Sequence, residues 1–250
     1  MRTILFAAAA LFAAGSATAQ TIDLGDPTLA IGGALSTSLL QRAPGETTIA
    51  SGVVAKDGIL VRTPVQHMRA GVLTSPVTGN RGPGRPTTLA AGTPVYAVAL
   101  NSSRGPQRVW CTPKTAGEVE DPKRRSTCLV GAGGNEVRIA DGLGRLLATG
   151  VDFRGFGAPV EAPGIEEKPM AFEPAMELAL QFDGWRGSRL EATLVFISGD
   201  ETAKIKELTF DRAENGTVLL DVVGGRVLVS PTADGGAQVT MIRAPAPLGS

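Results

Sequence analysis

Apolar and polar residues alternate most regularly in the last third of the chain. Leu178, Leu180 and Phe182 alternate with Glu177, Ala179 and Gln181, and Leu190, Ala192, Leu194 and Phe196 alternate with Arg189, Glu191 and Thr193. A period of two places each apolar set on one face of a pleated strand, so both segments predict strands buried on one side. The pair Gly224-Gly225 predicts a two-residue hairpin turn that brings Val222 opposite Val227 and Leu220 opposite Val229. That register gives one wholly apolar face. It sends Asp221 and Arg226 to the other face, as a half-solvated antiparallel sheet requires. A last strand follows the turn Asp234-Gly235-Gly236, and the stretch Lys204 to Phe210 loses its alternation at Lys206-Glu207, which predicts a bulge.

The earlier part of the chain is β-like but less regular. Val53-Val54-Ala55 and Ile59-Leu60-Val61 flank Asp57-Gly58 and predict a hairpin. Pro64 and Pro76 bracket Val65 to Leu73 and predict an edge or irregular strand, because each proline removes a ladder donor. Thr78 to Thr88 has no apolar side chain besides its prolines and predicts a mobile loop. Strands are expected at Pro94 to Leu100 and at Gln107 to Thr112. A hairpin is expected from Glu136 to Ala148 around Asp141-Gly142 and Gly144. Near the start, Leu35, Leu39 and Leu40 share one face of a short helix. The organisation expected is a signal peptide over 1–19, an irregular segment over 20–48 and a β-rich unit with one disulfide over 49–154. A Gly/Pro linker over 155–169, an antiparallel β meander over 170–243 and a disordered tail over 244–250 complete it. The fold class expected is all-β, mainly antiparallel and sandwich- or barrel-like, with little helix.

The first twenty residues change the picture most. Met1-Arg2 leads into the apolar run Ile4 to Ala14, and small residues stand at Ala17 and Ala19. These are the three parts of an export signal, with cleavage expected between Ala19 and Gln20. The segment resembles export signals of Gram-negative bacteria, so a periplasmic or extracellular location is expected. Gln20 is not a cysteine, so no lipid anchor is implied.

Composition then narrows the function classes. Charge is balanced at 24 basic and 24 acidic residues, which leaves no net field to gather nucleic acid. The 32 glycines and 17 prolines punctuate the chain too often for long helices, and no apolar stretch of the expected mature chain reaches membrane-helix length. The single histidine, His67, rules out zinc sites built on several histidines. No Gly-x-Ser-x-Gly elbow accompanies it, so it is read as a polar residue on an edge strand. Cys111 and Cys128 lie outside any Cys-x-x-Cys pattern, and an oxidising compartment makes them a structural disulfide across a polar loop. Closure of a loop this long stabilises a fold by roughly 3 kcal/mol.

The remaining chemistry is sparse. Gly131-Ala132-Gly133-Gly134 precedes a strand and not a helix, so it is a hairpin turn and not a phosphate cradle. Glu166-Glu167 falls in the expected linker. Tyr96, Trp110 and Trp185 are assigned to sheet packing. The sequons at Asn101 and Asn215 matter only in a eukaryotic source. Arg81 and Arg85 in one loop, and Lys123, Arg124 and Arg125 in the loop closed by the cysteines, are the candidate recognition positions. No catalytic, cofactor-binding or metal-binding residue is assigned. The function expected is a non-enzymatic binding or structural protein of the cell envelope whose partner is an envelope protein or a surface ligand. An exported hydrolase using only carboxylates is the alternative, and an outer-membrane barrel or barrel accessory a further one.

Overall fold

A computed structural model describes residues 19–22, 29–31, 36–82, 84–102, 105–113, 125–143, 152–170 and 175–245. Within these residues the chain is all-β and contains no helix. The first strands are β1 (Gln20–Ile22), β2 (Leu29–Ile31), β3 (Ser36–Arg42), β4 (Thr48–Ile49), β5 (Gly52–Val54), β6 (Ile59–His67) and β7 (Ala70–Leu73). There follow β8 (Val77–Asn80), β9 (Pro86–Leu89), β10 (Pro94–Ser102), β11 (Gly105–Cys111), β12 (Arg125–Gly133) and β13 (Glu136–Leu143). The short strands β14 (Asp152–Arg154), β15 (Pro159–Glu161) and β16 (Ile165–Glu167) come next. The chain ends in β17 (Met176–Arg186), β18 (Arg189–Ser198), β19 (Glu201–Asp211), β20 (Val218–Val222), β21 (Gly225–Pro231) and β22 (Ala237–Arg243).

These strands make a five-stranded sheet in the order β1-β20-β21-β22-β5, a curled fifteen-stranded sheet and the separate hairpin β8-β9. The main path of the large sheet is β14-β13-β12-β11-β10-β3-β6-β17-β18-β19. Pairing is antiparallel except that β1 runs parallel to β20. The apolar set expected to be buried around residue 180 is buried, but burial is not one-sided: Ala179 of β17 and Thr193 and Val195 of β18, on the opposite face, are buried as well. Leu178, Leu180 and Phe182 of β17 and Leu190, Ala192, Leu194 and Phe196 of β18 are all buried. Most of them face Leu220, Val222, Val227, Val229 and Val239 of the small sheet, which forms the largest apolar cluster between two β layers.

Several expectations are corrected. Residues 155–169 are not a structureless linker. Pro159–Glu161 pairs with β13 and Ile165–Glu167 pairs with β7, and Val160 and Ile165 pack against Leu73, Val77 and Ile139. The expected units over 49–154 and 170–243 are joined by ladders. β6 pairs with β17, and β5 pairs with β22. The segment over 20–48 holds β1, β2 and β3, and the helix proposed for Leu35, Leu39 and Leu40 is replaced by β3, which contains Leu39 and Leu40; Leu35 lies outside the described residues. Three-residue strands have too few positions to show a period, which is why these segments look irregular in sequence.

The Asp57-Gly58 turn also differs. Asp57 adopts a φ of 65°, yet β5 and β6 do not pair with each other. The chain switches sheets at this corner, where Asp57 N–H donates to Phe182 O (2.7 Å) and Phe182 N–H donates to Gly58 O (2.8 Å). Val65 to Leu73 is no single edge strand. β6 lies between β3 and β17, and Pro64 is tolerated because the neighbouring chain leaves the ladder between Arg42 and Thr48, with Ala43 N–H donating to Pro64 O. Thr78 to Thr88 forms the hairpin β8-β9 instead of a mobile loop. β13 continues through Asp141-Gly142 without turning, and the partner strand expected at Leu146 to Ala148 lies outside the described residues.

The bulge in β19 falls at Ile205, one position before the expected Lys206-Glu207, since Leu194 pairs with Lys206 and Val195 with Lys204. The β20-β21 hairpin turns at Val223-Gly224, not at Gly224-Gly225. Leu220 therefore faces Val227, and Asp221 faces Arg226. The faces themselves are as expected, because a shift of the turn by one residue on each side moves pairings by two and preserves parity. Of the tail over 244–250, Ala244 and Pro245 are described and the rest is not.

Candidate functional site

Cys111, the last residue of β11, is the direct ladder partner of Cys128 within β12, with Cα atoms 4.1 Å apart and the sulfurs bonded. Close Cα spacing of this kind belongs to the non-hydrogen-bonded positions of an antiparallel ladder, where side chains approach most nearly. Both residues are fully buried against Tyr96, Val98, Val109 and Ala140. The bond is thus a core element.

His67, at the end of β6, stacks on Tyr96 of β10 with ring centroids 3.9 Å apart and planes 13° from parallel. Burial pulls the His67 pKa down to about 3 and pushes the Tyr96 phenol up. His67 is therefore neutral at neutral pH. It occupies a core position and not the exposed edge expected from its flanking residues.

The hairpin β8-β9 brings Arg81 and Arg85 to one carboxylate. Asp141 on β13 has a side chain only 3% exposed. Arg81 Nη1 donates to its Oδ1 at 3.1 Å, and Arg85 Nη1 lies 3.8 Å from Oδ2. Arg81 Nε also donates to Thr87 Oγ1 at 2.7 Å, and Arg81 N–H donates to Arg85 O at 2.9 Å, which closes the turn. A buried carboxylate needs such partners to repay its lost hydration. Arg85 remains 62% exposed, so the arrangement presents one guanidinium to solvent from a turn fixed at its base. Sequence reasoning grouped Arg81 with Arg85 but missed Asp141, which it had placed in a turn.

The other basic candidates are not brought to this place. The backbone of Arg125 opens β12 opposite Leu143, and Lys123 and Arg124 lie outside the described residues. Glu167 of the former linker pairs through both carboxylate oxygens with Arg69. Trp185 donates its indole N–H to Gly236 O at 2.9 Å, meets Phe182 edge-on and carries the Arg212 guanidinium 4.7 Å above its ring. Trp110 packs on the Leu73 and Ile139 cluster. Ala19 is half-buried outside any strand, and Gln20 begins β1. Among the described residues, no group of three or more His, Cys, Asp or Glu side chains is arranged to hold a metal ion. No described helix is long and apolar enough to cross a membrane. Comparison of the chain with protein-family models, curated proteins and solved structures finds no match.

Proposed function

We propose that this is an exported binding or structural protein of the cell envelope, released by cleavage after Ala19 into the periplasm or the outside of the cell, that works without catalysing a reaction. Support for the compartment comes from the bonded Cys111 and Cys128, since thiols at such separation persist as a disulfide only where the surroundings are oxidising. The observation that carries the binding role is the hairpin turn over 81–85. Arg81 and Arg85 both reach the buried Asp141, Arg85 with most of its side chain still in solvent, and a guanidinium held on a closed turn loses little freedom on meeting an acidic partner. The partner is an envelope protein or surface ligand with an exposed carboxylate or phosphate.

Cell fractionation followed by crosslinking from position 88, exposed on the same hairpin, tests the reading. The expected result is recovery in the periplasmic or extracellular fraction, with a crosslinked envelope component that is lost in Arg85→Glu and retained in Lys206→Glu. Retention of the intact chain in the cytoplasm overturns the compartment. Crosslinking that is indifferent to the charge at residue 85 overturns the binding surface.

A further inference from the structure

The side chain of Gln20 does the work of a missing strand. At the end of the β18-β19 ladder Arg189 pairs with Asp211, and the next residue, Arg212, turns its N–H inward to Ser188 O. Backbone groups alternate in direction along a strand, so the N–H and C=O of Asp211 point outward from the last strand of the large sheet. The primary amide of Gln20 meets both. Its Nε2 donates to Asp211 O at 2.9 Å, and Asp211 N–H donates to its Oε1 at 3.4 Å. The main chain of the same residue pairs with Leu220 at the edge of the small sheet. One residue thus fastens the two sheets together at a corner.

Resting on cleavage after Ala19, we propose that Gln20 is an N-terminal cyclisation site gated by folding: the unfolded mature chain closes to pyroglutamate readily, and the folded chain closes only through local opening. In the closure the unprotonated α-amine attacks Cδ of its own side chain. The N–Cδ bond forms, the Cδ–Nε2 bond breaks, and ammonia leaves with the proton that the amine gives up. Nothing is oxidised or reduced, and no co-reactant is needed. The reaction requires the side chain to fold back over the α-nitrogen, whereas pairing with Asp211 holds the amide away on a different sheet. The lactam has no NH2 group left to donate to Asp211 O. Folding therefore slows cyclisation at this residue, and cyclisation removes this bond between the sheets.

The test follows loss of ammonia from the N-terminal peptide by mass spectrometry, on mature protein incubated folded, incubated in urea, and against a synthetic peptide of the same first residues. Closure in urea should match the peptide, and closure in the folded protein should be slower by about tenfold or more, since it must await local opening of β1. Ile22→Pro, which puts a residue without a backbone N–H into β1, should raise the folded rate toward that of its own peptide while the Trp185 fluorescence stays native. Equal rates in folded and urea-unfolded chains that start at Gln20 overturn the gate alone. A mature chain starting at another residue overturns the cleavage reading and the gate with it.

Discussion

Asp221 and Arg226 face each other across the β20-β21 hairpin, with Arg226 Nε 2.7 Å from Oδ1 and Nη2 2.9 Å from Oδ2. Arg243 approaches the same carboxylate at 3.9 Å. The Arg226 hydrogen bonds, aided by both positive charges, hold the Asp221 carboxyl below the usual aspartate range. The pair lies on the solvent side of the sheet, opposite the core face of Leu220.

The two faces of β20 should respond very differently to truncation. Leu220→Ala removes a fully buried side chain and should cost about 2–5 kcal/mol, whereas Asp221→Ala breaks a partly exposed ion pair and should cost about 1 kcal/mol or less. Urea denaturation decides it. Equal costs would mean that Asp221 has a role in the core.

The turn itself gives a second prediction. Val223 has a φ of 51° and Gly224 a φ of 73°, so a β-branched residue occupies the left-handed region where its side chain is strained. Val223→Gly should stay within about 1 kcal/mol of the parent, because relief of strain offsets the lost side chain and the freer unfolded chain. Gly224→Val should destabilise by more than about 1 kcal/mol. Thermal melts of both variants at one pH check the asymmetry.

Gly157 should be the least replaceable glycine of the segment over 155–169. A Cβ there would stand 1.6 Å from Asn80 O, a backbone atom, while one at Gly131 would meet nothing within 4 Å at an ordinary φ. Gly157→Ala should therefore cost more than about 3 kcal/mol or prevent folding, and Gly131→Ala should change stability by less than about 1 kcal/mol. Soluble yield and urea midpoints compare them. A tolerated Gly157→Ala would mean that the segment does not cross β8 so closely.

What the sequence shows and what it hides divide along this line. The core face of β17, β18 and β20 is legible because alternation marks its apolar set, although β17 and β18 also bury Ala179, Thr193 and Val195 on the other face, which alternation does not report. Pairing partners are not, since alternation in β6 looks the same whether β5 or β17 lies beside it. Gly157 and Gly164 both read as punctuation, although the first is required by the Asn80 backbone while the second faces only the Thr74 hydroxyl, a side chain that can rotate away. The Arg81 and Arg85 cluster was half legible: two like charges near a turn are visible in sequence, but the carboxylate that anchors them stands 60 residues away from Arg81.

Acid should weaken the fold through His67. Its pKa is lowered from 6.5 in the unfolded chain to about 3 in the fold, so the unfolded state binds the proton first. The contribution is complete above pH 6.5. It should be lost as pH falls from 6.5 toward 3, at about 1 kcal/mol per pH unit over the steep part. Comparing His67→Gln with the parent at pH 7, 5.5 and 4.5 isolates this slope from that of the carboxylates. An unchanged slope in the variant would show that the imidazole is protonated in the fold.

The disulfide should add stability without dictating the fold. Replacing both Cys111 and Cys128 by alanine should lower stability by about 2–4 kcal/mol, and the intact bond, buried on both sides, should resist reductant until the protein is unfolded. Thiol titration in native and denaturing buffer reads both. Rapid reduction under native conditions would contradict the buried placement.

The parallel pairing of β1 with β20 sets Gln20 beside Leu220 and Ile22 beside Val222, and the strand β5 closes the opposite edge of the same sheet against β22. Both borders of that sheet are supplied by the beginning of the chain and its centre by the end. A polypeptide made N-terminus first has no template for β1 or β5 until its final residues arrive. Nascent chains must then wait in an incomplete state, with Leu60, Val61, Phe182 and Leu190 uncovered, for the whole time needed to make the remainder. Chains that lose the last thirty or so residues to premature termination are left with that surface permanently open, which marks them for holdase binding or proteolysis.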